Sequence, residues 1–95
     1  MMKTYRVAVT QIVEVKLDET KFDEVFMRDF RKSFYGFDTL DEHAEHIAQL
    51  QARGVIDISW NSNEFIEGYG EANDMGLFAR VLDTEIDPAV EMAQL

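Results

Sequence analysis

The stretch from Thr4 to Leu17 constrains the fold more than any other part of the chain. Tyr5, Val7, Val9, Gln11, Val13, Val15 and Leu17 fall on one side, and Arg6, Ala8, Thr10, Ile12, Glu14 and Lys16 on the other. A two-residue period sends alternate side chains to opposite faces of a sheet, so this stretch predicts a half-buried β-strand rich in β-branched residues. A strand leaves backbone donors and acceptors unpaired and one apolar face bare. The rest of the chain must therefore supply a second strand and a covering layer.

Helices are the expected cover. Asp18 or Thr20 can cap a first helix, with Asp23 and Glu24 in its first turn. Phe22, Val25, Phe26, Phe30 and Phe34 share one broad face of it, Arg28, Arg31 and Lys32 lie toward its C-terminal end, and Gly36 ends it. Thr39 and Glu42 make a capping box for a second helix, whose inner face is Leu40, Ala44, Ile47, Leu50 and Gln51 and whose C-cap is Gly54. Val55–Trp60 alternates again and predicts a short strand. Glu64–Glu67 predicts about one helical turn, GYGEANDMG a loop, and GLFARVLDTEI a closing strand. Pro88 bars that strand from continuing in a sheet interior, leaving residues 88–95 as a tail or short helix. The order is β-α-α-β-β. The expected fold is a single α+β domain over residues 1–95, a small antiparallel sheet of about three strands with both helices on one face. The other sheet face is then open.

Charge narrows the function. Residues 1–37 hold 7 basic and 6 acidic side chains, whereas residues 38–95 hold 2 basic and 13 acidic ones, and the whole chain carries a net charge of −10. Such a surface repels nucleic acid and anionic membranes and attracts basic partners. The chain has no cysteine, which removes disulfides, thiolate metal sites and cysteine nucleophiles and suits a reducing cytoplasm. No apolar run has the length of a signal peptide or a membrane span.

Catalytic motifs are absent. Glu42, His43 and His46 have helical spacing, and a Glu-x-x-His pair occurs in carboxylate-bridged metal sites, but such sites need matching ligands from other helices, which the first helix lacks. The expectation is one semi-buried and one solvated histidine, with no metal and no cofactor. The glycines of GYGEANDMG have Glu67, Glu71 and Asp74 around them and no lysine, so they would repel a phosphate. Binding is favoured instead. Trp60, Phe65 and Tyr69 cluster around this loop among Glu64, Glu67, Glu71 and Asp74, an aromatic patch with a charged rim. Glu42 and Glu45 add acids from the second helix. The expected partner-binding residues are thus Glu42, Glu45, Trp60, Glu64, Glu67, Tyr69, Glu71 and Asp74. The competing expectation is that Trp60 and Phe65 plug one end of the core.

The segments KFDEVFMRDFRKSFYGFDTLDEHAEHIAQLQARGVID, FIEGYG and DMGLFARVLD resemble small accessory proteins of tailed bacteriophages and prophages, with HIAQLQARG and FIEGYG as the most specific pieces. The resemblance implies an accessory role in a bacterial cytoplasm and transfers no active site. By analogy with acidic phage proteins, the expected action is non-enzymatic binding to a basic, nucleic-acid-handling host protein, in its sharpest form anti-CRISPR-like inhibition of a defence complex. The alternative expectation is a small structural protein that forms a homodimer through its open sheet face. A metal-binding protein built on the His/Glu helix is the third.

Overall fold

In the computed structural model, which describes residues 1–93, β1 (Thr4–Arg6) pairs antiparallel with β6 (Val90–Met92), and β2 (Val9–Lys16) pairs antiparallel with β5 (Phe78–Ile86). The β2–β5 ladder runs from Val9 opposite Ile86 to Lys16 opposite Phe78, with a bulge that leaves Leu82 unmatched between Ile12 and Val13. Two short strands, β3 (Phe65–Ile66) and β4 (Gly70–Glu71), form a separate hairpin. Helices α1 (Glu24–Ser33) and α2 (Leu40–Ala52) lie between β2 and β3 in the chain. The class is α+β, as the sequence implies, but the strands pair in twos instead of forming one three-stranded sheet.

Pro88 explains the division of the long ribbon. It has no N–H for the ladder, so β5 stops at Ile86, and the opposing strand breaks at Val7 and Ala8. The N–H of Asp87 still donates to the Ala8 carbonyl at 3.0 Å, which keeps the two halves in line. Residues 90–92 therefore form a strand, not the expected tail or helix; Gln94 and Leu95 lie outside the described residues.

Local chemistry sets the helix ends. Asp18 caps only a single 3-10 turn over Glu19–Lys21, accepting from the Thr20 N–H at 3.0 Å, and Asp23 is the true cap of α1, accepting from Phe26 at 2.8 Å. In α2, the Thr39 hydroxyl accepts from the Glu42 N–H at 3.2 Å, and Glu42 Oε1 accepts from the Asp38 N–H at 3.0 Å. Beyond its last turn Gly54 adopts φ +71°. Its N–H donates to Gln51, and that of Val55 to Leu50, closing a left-handed cap that a residue with a Cβ would strain.

The expected strand at Val55–Trp60 is a series of turns. The alternation there does record burial, since Ile56 and Ile58 are buried and Val55 is not. The backbone donors, however, are taken locally, those of Val55 and Ile56 by the Leu50 carbonyl and the next two by side chains. Ile58 N–H donates to Gln51 Oε1 at 3.0 Å and Asp57 N–H to Glu64 Oε2 at 2.6 Å. No neighbouring strand is needed. Likewise Glu64–Glu67 is not helical, because Phe65 and Ile66 pair with Glu71 and Gly70.

The core lies at one end of the molecule. α2 rests on the face of β2 and β5 nearest it, and α1 joins through its aromatic side chains. The rest of the ribbon projects beyond both helices. The molecule measures 55 × 27 × 20 Å with a radius of gyration of 17.2 Å, against about 12 Å for a rounded domain of this length.

Candidate binding surface

Phe30 organises the aromatic core that supports the surface. Its ring lies 5.0 to 5.7 Å from those of Phe34, Phe37 and Tyr69, and 4.7 Å edge-on from His43. His43 is 0% exposed, not half-buried at the edge of the stripe. Its Nδ1 lies 2.7 Å from the Tyr69 hydroxyl, and its Nε2 has no hydrogen-bond partner among the described residues. Burial is the main cause that depresses the His43 pKa; the nearby charge of His46 adds to it, and Glu42 opposes it. Burial also raises the Tyr69 pKa, so the hydroxyl stays protonated. His46 is half-buried against Tyr35 and Phe37, and it too is depressed by burial.

This has a pH consequence. A histidine depressed in the fold takes up its proton more readily in the unfolded chain. Its contribution to stability is full above the ordinary histidine pKa of about 6.5 and declines as pH falls below it. We expect the melting temperature to drop between neutral pH and about pH 5, and the drop to shrink in a His43→Gln variant. A flat wild-type profile over that range would show that His43 is not held neutral by the core.

The residues expected at the binding surface divide into three groups. Tyr69 is 6% exposed and belongs to the core, because Gly68 turns the chain at φ +91° against the Phe30 ring. A Cβ on Gly68 would come 2.7 Å from Phe30 Cε2. Glu42 and Glu64 are tied to backbone N–H groups, as described above, and serve the fold. Trp60, Glu45, Glu67, Glu71 and Asp74 are exposed. Trp60 is 90% exposed and Phe65 70% exposed, so neither plugs the core.

A groove of about 430 Å³ opens between the end of α1, α2 and β3, with Phe34, Tyr35, His46, Leu50, Phe65 and Glu67 among its walls. Glu71 stands opposite Phe65 in the hairpin. The sequence reading missed Phe34, Tyr35 and His46 here. The signal was the SFYGF run after α1, where two exposed aromatics follow the last helical turn.

The Glu42, His43 and His46 set does not converge on one point, since both imidazoles lie against aromatic rings. Among the described residues no group of three histidine, cysteine or carboxylate side chains comes together as metal ligands would, and no helix is long and apolar enough to cross a membrane. Comparison with protein families, with curated proteins and with solved structures gives no match.

Proposed function

We propose that this chain is a non-catalytic binding protein that applies an acidic, aromatic surface to a basic, nucleic-acid-handling protein. One observation carries the reading. Trp60 and Phe65 stand in solvent while Phe22, Phe30 and Tyr69 are buried, and Phe65 has Glu71 opposite it in the hairpin and Glu67 beside it on the groove wall. Large exposed aromatics with a charged rim are the composition of a protein-binding site. The net charge of −10 suits a partner whose own surface is basic. Taken with the resemblance to phage and prophage accessory proteins, the sharpest form is inhibition of a host defence complex in a bacterial cytoplasm.

Capture from bacterial lysate with the tagged full chain, identified by mass spectrometry, tests this. We expect one basic nucleic-acid-binding protein at near-equal stoichiometry, retained near 0.15 M salt and released at about 1 M as charges are screened. Capture of acidic proteins only, or capture that salt leaves unchanged, would count against it.

A further inference from the structure

The projecting ribbon is an unfinished sheet. β2 has β5 on one edge and, among the described residues, no strand on the other. A two-stranded ribbon alone is marginal in water, and its bare edge invites another strand. Residues 7–13, VAVTQIV, carry no charge, no proline and no glycine, so nothing in this stretch discourages pairing.

The two faces of the ribbon differ sharply. Glu14, Lys16, Arg80, Asp83 and Glu85 share one face, paired as Glu14 with Arg80 and Thr10 with Glu85. The other face carries Val9, Gln11, Val13 and Val15 opposite Ile86, Thr84, Val81 and Ala79, without a single charge. α2 covers this second face only near its base. Ala79 is buried there, whereas Val9 and Ile86 are 57% and 68% exposed farther out. Val7 and Val81 are also exposed, and a contiguous bare apolar strip on a soluble protein calls for a partner.

We infer that β2 pairs antiparallel with β2 of a second copy of this chain, centred on Thr10, to give a four-stranded sheet with the order β5-β2-β2-β5. Charge selects this edge. Joining two copies through β5 and β6 would bring Asp83, Glu85, Asp87 and Glu91 of one beside the same acids of the other, and like charges facing across strands repel. Pairing about Thr10 leaves those acids on the outer strands. Within β2 it sets Val9 opposite Gln11, and across the break at Val7 and Ala8 it brings Arg6 of β1 opposite Glu14 of the second copy, an opposite-charge match made twice by the two-fold axis. Residues opposite one another share a face, so both charge-free strips and both α2 helices fall on the same side. Each α2 then lies beside the bare end of the other copy's ribbon.

The absence of cysteine makes a register test clean. Thr10→Cys would place two thiols across the axis with Cα atoms about 4.5–5.5 Å apart, within disulfide reach. Light scattering on the full wild-type chain at about 100 µM should give twice the mass of 11.0 kDa. Mild oxidation should convert Thr10→Cys to a covalent dimer and leave Thr84→Cys, on the other strand, uncrosslinked. Thr10→Lys should be monomeric at the same loading yet fold normally, because Glu85 faces position 10 within each ribbon. A wild-type monomer at that concentration overturns the inference. So does a dimer that crosslinks through Thr84→Cys but not Thr10→Cys. Neither result depends on whether a basic partner is found.

Discussion

Phe30→Ala should unfold the chain or bring it to the edge of unfolding at 37 °C. Phe30 is 3% exposed and touches rings from α1, α2, the segment after α1 and the β3–β4 turn. Removing a buried phenyl ring costs about 3–5 kcal/mol, and a domain this small has roughly 5–15 kcal/mol in total. His43 would also lose an edge-to-face neighbour, leaving a buried polar ring beside the cavity. Val25→Ala on the same helix is the control. Val25 is more than half exposed, so its loss should shift the melting temperature little. Thermal unfolding followed by circular dichroism checks both. Equal, small shifts would mean that α1 is not anchored through Phe30.

The second large effect belongs to the exposed aromatics. Trp60→Ala should cost at least about 2 kcal/mol of affinity for the captured partner, roughly thirtyfold, as central aromatic anchors do. Stability should hold, because a side chain already in solvent adds little to folding. Reversing Glu67 and Glu71 to Lys should weaken binding mainly by slowing association, and high salt should mask the difference. Glu64 is the wrong residue for such a test. Its carboxylate holds the Asp57 N–H, so reversal would disturb the loop as well as the charge. Titration calorimetry against melting temperature separates the two kinds of effect.

The elements that were legible in the sequence are those whose signals are local. α2 is fixed by Thr39, Glu42 and Gly54, each acting within a turn of its own position. The strand–helix–helix–strand order follows from period and caps alone. What was not legible depends on distant parts. Alternation at Val55–Trp60 marks which residues are buried but not what their N–H groups bond to, and the acceptors came from Gln51 and Glu64. Alternation from Thr4 to Leu17 likewise says that one face is apolar. It does not say that α2 is too short to cover it, which leaves the outer ribbon bare. His43 became a core residue because the Tyr69 hydroxyl, 26 residues away, meets its ring. Tyr69 itself reads the same in sequence whether it turns in or out, and Gly68 decides that it turns in.

Trp60 offers the most direct measurement, since it is the only tryptophan in the chain. Labelled with 5-fluorotryptophan, the protein should give a single ¹⁹F resonance with the solvent isotope shift of an exposed indole. Saturation with the captured basic protein should move this resonance, broaden it to that of the complex and remove the isotope shift. A resonance that broadens with the tumbling of the complex but keeps its full solvent isotope shift would show Trp60 still in water. The aromatic, acidic end of the molecule would then not be the surface that binds.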